Sequence, residues 1–210
     1  MPMLDRYAHW TPRYLFDRAR LGLWEKRHPD LPWLTPEAIK LLSGMLRPTD
    51  RALEWGSGRS TRWIADRVAA LTSVESDREW FARVTDSLAG RSHVTYLFKE
   101  CPGIGATEAQ AEGYAGVADS FADGSLDFAL VDGQVRDRCA ARALAKLRPG
   151  GLLVIDNINW FLPSPSRSPS SAKRFDPASR WSEVASALVG WRKIWTSSGV
   201  SDTAIWIKPE

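Results

Sequence analysis

Short apolar segments alternate with segments of helical periodicity through the middle of this chain, and this alternation limits its fold more than any other feature. Apolar segments of strand length lie at 52–55, 71–75, 94–98, 126–132 and 151–156. Strands that are apolar on both faces and separated by helices favour a parallel sheet covered by helices on both sides. We therefore predict an α/β fold with a doubly wound, Rossmann-like sheet.

The end of the chain follows a different pattern. Two further strands are predicted at 191–196 and 203–208, and the turn residues 198–201 between them indicate a hairpin. The predicted sheet therefore has seven strands, of which the last is antiparallel.

Two helices are predicted before the first strand. Residues 3–27 carry aromatic and aliphatic side chains at roughly helical spacing, and Thr35 and Pro36 are typical of the start of a second helix. We predict an N-terminal helical cap over residues 1–47 and a ligand-binding domain over residues 48–210, which together form one structural unit. The cap and the edge of the sheet are candidate surfaces for a homodimer.

The composition narrows the class of protein. With 210 residues, of which 44% are hydrophobic and 25% charged, the chain fits one globular domain. Its apolar runs are no longer than strands, so no contact with a membrane is predicted. Two cysteines, Cys101 and Cys139, give no disulfide framework, and a cytoplasmic location is the default expectation. The net charge of +3 arises near the N-terminus, but no run of like charges indicates a nucleic-acid partner.

The most informative local motif is a glycine-containing turn between the first predicted strand and the next helix. Gly56 and Gly58 allow a sharp turn and a close approach of the backbone to a ligand. A nicotinamide dinucleotide site requires a third glycine in this pattern, and Thr61 stands there instead. Glu54, before the turn, would repel a diphosphate and favours a ligand with a positive charge. Glu75 ends the second strand, where open α/β sheets place the carboxylate that binds ribose hydroxyls.

Four motifs, taken in order, resemble those of the class I S-adenosylmethionine (SAM)-dependent methyltransferases. They are Glu54–Thr61 (EWGSGRST), Ser73–Asp77 (SVESD), Leu130–Gly133 (LVDG) and Leu147–Asn157 (LRPGGLLVIDN). The resemblance covers about residues 50–208. It implies that SAM is the cofactor, that the first motif surrounds its methionine moiety and that the second holds ribose and adenine. The cofactor-binding residues implied are Glu54, Gly56, Ser57, Gly58, Ser60, Glu75, Ser76 and Asp132.

Two acidic strand ends provide candidate metal ligands. Asp132 follows the fourth strand, and Asp156 and Asn157 follow the fifth. If these strands are neighbours, the three side chains converge beside the cofactor, and carboxylate and amide oxygens suit Mg²⁺. Similar trios occur in the catechol- and caffeoyl-CoA-type O-methyltransferases, and this resemblance implies a metal site of Asp132, Asp156 and Asn157. In the alternative interpretation, Asp132 contacts only SAM while Asp156 and Asn157 cap a turn.

The predicted reaction is methyl transfer from SAM to a hydroxyl oxygen of a small-molecule acceptor, assisted by Mg²⁺ if the metal site exists. Asp132 and Arg136 are the candidate catalytic residues. Catechol-type enzymes have a lysine three residues after the first aspartate, and Val135 stands there in this chain. Arg136 cannot serve as a base, which favours a role in clamping an anion or the acceptor. Without a metal, Asp132 or a histidine of the cap, His9 or His28, would accept the proton.

Three alternatives stay open. One is a SAM-dependent methyltransferase that acts on a nitrogen of RNA or protein, although residues 132–135 lack the Asp/Asn-Pro-Pro-aromatic run of many such enzymes. Another is a nicotinamide-dependent oxidoreductase, which Thr61 and Glu54 count against. The last is a module that binds SAM without turnover. The Ser/Pro-rich segment 163–171 is predicted to be mobile, either as a lid over the acceptor or as a loop without a role.

Overall fold

The computed structural model describes residues 10–210, in which helices and strands alternate as predicted. The helices are α1 (Pro12–Arg27), α2 (Pro36–Met45), α3 (Arg59–Ala65), α4 (Arg78–Ser87), α5 (Glu108–Ala115), α6 (Arg136–Lys146) and α7 (Trp181–Ala187). The strands are β1 (Arg51–Trp55), β2 (Ala70–Glu75), β3 (Val94–Phe98), β4 (Leu126–Val131), β5 (Leu147–Asp156), β6 (Arg192–Ser197) and β7 (Asp202–Ile207). Short 3₁₀ helices follow α5 and β5, at Gly116–Ser120 and Ile158–Trp160. No helix of the described residues is long and apolar enough to cross a membrane.

All of these strands belong to one sheet, in the order β3-β2-β1-β4-β5-β7-β6. β1 to β5 run parallel, and β7 lies antiparallel between β5 and β6. The predicted fold class, a doubly wound Rossmann-like sheet of seven strands with an antiparallel last strand, is therefore confirmed. After β1, the chain adds β2 and β3 towards one edge of the sheet. It then adds β4 and β5 on the other side of β1, towards the opposite edge. Ligands bind at such a reversal of strand order, at the carboxyl ends of the strands.

Side-chain caps explain where the two N-terminal helices begin. The Thr11 hydroxyl accepts a hydrogen bond from the Tyr14 amide (3.2 Å), and the Thr35 hydroxyl accepts one from the Ala38 amide (3.4 Å). Each cap is followed by a proline in the first turn, where its missing N–H costs nothing. The predicted start of the second helix is confirmed. The first predicted helix began at residue 3, and residues 1–9 lie outside the described part of the chain.

Each face of the sheet packs against its own set of helices. On β1, Leu53 and Trp55 face a core that includes residues of α5, α6 and α7. Ala52 faces the opposite core, in which Ile39 and Leu42 of α2 pack with residues of α3. The helix α2 therefore packs directly on the sheet, and the predicted boundary at residue 47 stays a prediction.

The Ser/Pro-rich segment 163–171 is anchored to buried polar side chains. Asn159 Nδ2 donates a hydrogen bond to the Pro169 carbonyl (3.1 Å). The buried Asp202 carboxylate accepts one from the hydroxyl of Ser168 (2.6 Å), which is also buried. The prediction of a mobile segment used composition alone. Composition carries no information about hydrogen-bond partners as distant in sequence as Asp202.

Candidate cofactor and acceptor site

A cavity of about 730 Å³ opens at the carboxyl ends of β1 and β4, where the strand order reverses. Its volume lies within the range of about 300–1,000 Å³ that is usual for small-molecule sites. The cavity is lined by turns after β1, β2 and β4 and by aromatic residues that follow β5. The position agrees with the site that the glycine turn predicted.

The cavity brings together most of the predicted cofactor residues. Those that line it are Gly56, Ser57, Glu75, Ser76 and Asp132. Glu54 and Ser60 are buried beneath the glycine turn, and Gly58 lines a separate surface groove. Of the first motif, only Gly56 and Ser57 line the cavity.

Gly56 makes the sharp turn that ends β1. Its φ of +90° is a backbone conformation that favours glycine, and its amide donates a hydrogen bond to the Val74 carbonyl (2.9 Å). A Cβ at this position would lie 2.7 Å from the carbonyl carbon of Asp132. Glycine is required here both by conformation and by the approach of the turn after β4.

Glu75 is fixed at the cavity by five hydrogen bonds, the longest from the Ser76 hydroxyl (3.4 Å). Its Oε2 accepts from the amide (3.0 Å) and the hydroxyl (2.7 Å) of Ser57. Its Oε1 accepts from the amides of Ser76 (2.6 Å) and Asp77 (2.8 Å). Three of these donors are backbone groups, so the carboxylate is oriented by the turns themselves before any ligand arrives.

Two aromatic side chains hold the Ser57 turn, and the motif analysis did not identify either of them. The Tyr96 hydroxyl lies 2.6 Å from the Ser57 hydroxyl, and the Tyr96 ring stacks on Phe81 with centroids 4.4 Å apart. Trp80 Nε1 donates to the Ser57 carbonyl (2.7 Å). Burial raises the pKa of Tyr96 above its usual range, which keeps its hydroxyl protonated as a hydrogen-bond donor.

Glu54 lies fully buried below the same turn. Its Oε2 accepts a hydrogen bond from Ser73 (2.6 Å), while its Oε1 has no partner among the residues that the structure describes. Burial raises the pKa of Glu54 to about 7, and hydroxyls led by Ser60 oppose this shift. A buried carboxylate oxygen without a donor fits a ligand that brings a positive charge close to it.

Arg136 lies between the ends of β4 and β5. Its Nη2 lies 3.1 Å from Asp132 Oδ1 and also donates to the Asp132 carbonyl (3.0 Å). Its Nη1 donates to Asn157 Oδ1 (3.2 Å) and to the Asp156 carbonyl, and its Nε donates to the Gly133 carbonyl (2.9 Å). The guanidinium therefore occupies the space in which a metal between Asp132 and Asn157 would stand.

Asp156 does not face the cavity. Its carboxylate is buried and accepts a hydrogen bond from the hydroxyl of Thr203 on β7 (2.5 Å). The same Thr203 hydroxyl accepts one from the Thr35 amide (3.1 Å), at the start of α2. Burial, and then the nearby Asp132 carboxylate, raise the pKa of Asp156, while burial raises that of Asp132 against the opposing effect of Arg136.

The predicted metal trio does not fit Mg²⁺. The Asp156 carboxylate bonds to β7, the amide oxygen of Asn157 accepts a hydrogen bond from Arg136, and the nearest cation to Asp132 is that same arginine. Among residues 10–210, no group of three or more acidic, histidine or cysteine side chains could hold a metal. The prediction of a Mg²⁺ site at these strand ends is therefore not supported.

Two residues next to Arg136 have an unusual backbone conformation: Val135, which precedes it in sequence, and Asn157, which accepts one of its hydrogen bonds. Val135 and Asn157 adopt φ values of +38° and +49°, in the left-handed region that few residues other than glycine enter. The conformation is especially unfavourable for the β-branched Val135. Strained residues of this kind persist where surrounding contacts over-determine them, and they often occur at functional sites.

An aromatic wall of Trp160, Phe161 and Trp181 lines part of the cavity, and no sequence motif identified it. Phe161 stacks on Trp181 with ring centroids 4.8 Å apart, and Trp160 covers the Arg136 guanidinium at 5.9 Å. Trp160 remains half exposed. The three rings come from the segment after β5 and from α7, so only the tertiary fold assembles them.

The cap does not contribute to this cavity in the described structure: no residue from 10 to 47 lines it. His28, one of the two cap histidines considered as a base, instead packs on Trp24, with ring centroids 4.7 Å apart. Its Nδ1 lies 2.8 Å from the Trp24 carbonyl. The other, His9, lies outside the described residues.

Neither a protein-family model nor the sequence of a curated protein matches this chain. Solved structures match its fold. A methyltransferase-like protein from Silicibacter pomeroyi matches with a TM-score of 0.57 and 21% identity, over 86% of this chain and 89% of that one. Precorrin 8W decarboxylase from Methanobacterium thermoautotrophicum matches with a TM-score of 0.53 and 17% identity, over 87% of this chain and 95% of that one.

The chain spans 65% of the length of another matching structure, a possible exported protein from Bordetella parapertussis, with 17% identity over 81% of this chain and a TM-score of 0.49. At such identities a likeness shows the fold and leaves the reaction open, because one fold supports many activities. The chain therefore shares the Rossmann-like fold of methyltransferases, as its motifs implied.

Proposed function

We propose that this protein is a SAM-dependent methyltransferase that transfers the methyl group to a hydroxyl oxygen of a small molecule. The Glu75 carboxylate carries the proposal, because backbone amides fix it in the cavity beside the Gly56 turn. At the end of the second strand, a carboxylate is the group that binds ribose hydroxyls in sheets of this kind. The fold shared with the S. pomeroyi methyltransferase-like protein supports SAM as the nucleoside ligand.

The residues around the cavity fit SAM chemically. Glu75 would hold the ribose, with Ser76 beside it, and Gly56 would let the backbone approach the methionine moiety. The unpartnered oxygen of Glu54 beneath the turn provides negative potential for an ammonium or sulfonium group. SAM, when bound, supplies an electrophilic methyl carbon.

The protein's own part in the reaction is to hold the acceptor in line, exclude water and receive a proton. Trp160 and Phe161 provide an apolar wall against which an acceptor can pack and be desolvated. An acceptor oxygen about 3 Å from the methyl carbon would be in position to react. Asp132 lines the cavity, and one of its carboxylate oxygens is held by Arg136. The other is our candidate for accepting the hydroxyl proton.

The size of the cavity supports a small acceptor over a nitrogen of RNA or protein. A volume of about 730 Å³ suits a cofactor and a small molecule together. Mg²⁺ is not part of the proposal, because Arg136 occupies the space between the predicted ligands.

The first test is calorimetric titration of S-adenosylhomocysteine into the purified chain, with NADH as a parallel ligand. We expect micromolar binding of S-adenosylhomocysteine and none of NADH. Glu75→Gln should weaken binding about 10–100-fold, since it removes charge-assisted hydrogen bonds to ribose. Glu79→Gln is the matched control, because Glu79 is an exposed carboxylate on α4. NADH binding without S-adenosylhomocysteine binding would reject the proposal in favour of an oxidoreductase.

The second test identifies the acceptor class. The protein is incubated with SAM labelled in its methyl group and with separate pools of small hydroxylated compounds, RNA and protein. Label in a small hydroxylated compound, lost in Asp132→Asn while S-adenosylhomocysteine still binds, is the expected result. Label in RNA or protein would replace the proposed acceptor with a macromolecular one. Cofactor binding without transfer to any pool would favour a non-catalytic SAM-binding module.

A further inference from the structure

We propose that Arg136 is a resident cation, which takes the place of a divalent metal at the ends of β4 and β5 and makes the site independent of metal. The assignment of the cation depends only on the contacts of Arg136. Its consequence for catalysis rests on the proposed methyltransferase function.

The first observation is the set of oxygens around the guanidinium, four of which accept hydrogen bonds from it while the fifth forms an ion pair. An arginine has five N–H hydrogens in a fixed planar arrangement. In this structure five oxygens surround them: a carboxylate oxygen of Asp132, the amide oxygen of Asn157, and the carbonyls of Asp132, Gly133 and Asp156. An all-oxygen set of this composition is the kind of shell that binds hard divalent cations. A positive side chain occupies it instead.

The second observation concerns access. Four hydrogen bonds join the guanidinium to protein oxygens, Nη2 also lies 3.1 Å from Asp132 Oδ1, and the guanidinium carbon lies 5.9 Å from the Trp160 ring centroid. The guanidinium is therefore engaged mainly with the protein and not with an acceptor. In place of the predicted anion clamp we assign Arg136 a positioning role, in which it holds one carboxylate oxygen of Asp132.

The third observation is the direction of Asp156. In a metal trio this carboxylate would complete the shell, but here it accepts a hydrogen bond from Thr203 on the far side of β5. Only its backbone carbonyl contacts Arg136. The Asp156 carboxylate therefore bonds to Thr203 on β7, whereas the Asp156 backbone carbonyl bonds to Arg136.

The consequence for the acceptor is chemical. A metal would bind acceptor oxygens directly and lower the pKa of a hydroxyl. A guanidinium, which has no open coordination position, does neither. The acceptor should therefore need only one nucleophilic oxygen within reach of Asp132, and a vicinal pair of hydroxyls should give no advantage.

The test measures Mn²⁺ binding by electron paramagnetic resonance, which requires neither cofactor nor turnover. Mn²⁺ is a suitable probe because it prefers carboxylate and carbonyl oxygens. We expect the wild-type chain to show no saturable site below millimolar Mn²⁺. Arg136→Met should open the shell and bind Mn²⁺ at least about tenfold more tightly than wild type, and adding Asp132→Asn should remove that gain. Arg136→Lys, which keeps the charge, should behave as wild type.

Two results would overturn the proposal. One is a saturable Mn²⁺ site in the wild-type chain that is lost in Asp132→Asn. The other is an Arg136→Met protein that is folded, as judged by circular dichroism and melting, and gains no Mn²⁺ binding. A purely structural role for Arg136 would change the melting temperature without creating a metal site.

The activity measurement separates this proposal from the proposed function. Once an acceptor is found, wild-type turnover should be unchanged by a chelator and by added Mg²⁺. Chelator-sensitive turnover would reject the resident cation while supporting the methyltransferase. If no acceptor gives turnover, the Mn²⁺ measurement alone decides whether Arg136 takes the place of a metal.

Discussion

The backbones of Gly56 and Gly133 lie against each other at the floor of the cavity. A Cβ on Gly56 would stand 2.6 Å from the backbone nitrogen of Gly133, and a Cβ on Gly133 would stand 2.9 Å from that of Gly56. Because real Cβ atoms essentially never approach so closely, neither turn can accept a side chain without moving the other. The turn after β1 and the turn after β4 therefore form one rigid unit that sets the distance between Glu75 and Asp132.

The first prediction follows from this contact. Gly56→Ala should destabilise the protein by about 2–4 kcal/mol, because it combines a backbone clash with a φ of +90°. Urea unfolding measures the loss, and S-adenosylhomocysteine binding should be lost with it. Gly44→Ala is the control, since an added Cβ at this helical glycine would have no neighbour within 4 Å. Alanine there should stabilise the protein by about 0.5–1 kcal/mol.

Gly58→Ala tests whether both glycines of the motif matter equally. Its added Cβ would lie 3.8 Å from the Trp80 ring, which is an ordinary contact. We expect a smaller loss of stability than in Gly56→Ala, with S-adenosylhomocysteine binding retained. Equal effects of the two substitutions would mean that the contact with Gly133 does not determine the requirement for glycine.

The second prediction concerns the buried Glu54. Its folded-state pKa of about 7 lies above the usual 4.5, so its contribution favours folding below pH 4.5 and is lost as the pH rises towards 7. Glu54→Gln removes this titration. The free energy of unfolding of the wild type should fall, relative to Glu54→Gln, by about 2–3 kcal/mol between pH 5 and pH 8.

Denaturant unfolding at a series of pH values measures this difference for Glu54. Glu79→Gln is the control, because it replaces an exposed carboxylate on α4 by the same amide without touching the buried Glu54. A constant difference between wild type and Glu54→Gln from pH 5 to pH 8 would show that Glu54 has an ordinary pKa in the folded protein.

The sequence predicted the part of the site that depends on backbone turns. Gly56 follows β1 and Glu75 ends the neighbouring β2, and the carboxyl ends of parallel strands lie along one edge of a sheet. The alternation of strands and helices predicts a parallel sheet, although it does not give the order of the strands. The motif therefore located the cavity without any information about side-chain packing.

The structure does not support the metal prediction, because adjacency of strand ends does not give side-chain direction. Leu153 and Ile155 face one core of the sheet and Val154 faces the other, so the period of two places Asp156 on the face of Val154. That face carries Thr203 and the start of α2, and the carboxylate bonds there. The alternation was visible in the sequence, but the identity of the partner on β7 was not.

Arg136 and the aromatic wall illustrate a different limit. The spacing of four residues between Asp132 and Arg136 indicates that both can lie near one helix start, but the left-handed Val135 sets the actual direction of α6. Phe161 and Trp181 stack although the segment 162–180 separates them in sequence. Contacts of this kind depend on tertiary geometry that periodicity does not encode.

The third prediction concerns the anchors of segment 163–171. Asn159 is fully buried, and its Nδ2 donates to the Pro169 carbonyl (3.1 Å) and the Ser171 hydroxyl (3.2 Å). Asn159→Ala should release the segment, and amide hydrogen exchange across it should accelerate about 5–100-fold, as expected for two hydrogen bonds of about 0.5–1.5 kcal/mol each. Mass spectrometry of peptides from the segment reads the change.

Ser164→Ala is the control for Asn159, because the Ser164 hydroxyl accepts a hydrogen bond from the Ser166 amide within the same segment. We expect little change in exchange in that variant. If Asn159→Ala exchanges at the wild-type rate, the segment is held by other contacts, and the bond from Ser168 to Asp202 would be the next to remove.

The last prediction measures what Arg136 contributes to stability. Arg136 and Asp132 expose only 13% and 27% of their side chains, so breaking their pair leaves a largely buried carboxylate without its cation. Arg136→Met should lower the free energy of unfolding by about 2–4 kcal/mol, somewhat less than for a fully buried pair. Arg136→Lys should recover only part of this loss, because an ammonium has three donors where the guanidinium has five.

Arg83→Met is the control, since Arg83 and Glu79 are mostly exposed and such pairs contribute about 0–1 kcal/mol. A loss in Arg136→Met no larger than in Arg83→Met would mean that the five oxygens around Arg136 are satisfied by water once it is removed, and that the ends of β4 and β5 do not depend on a cation.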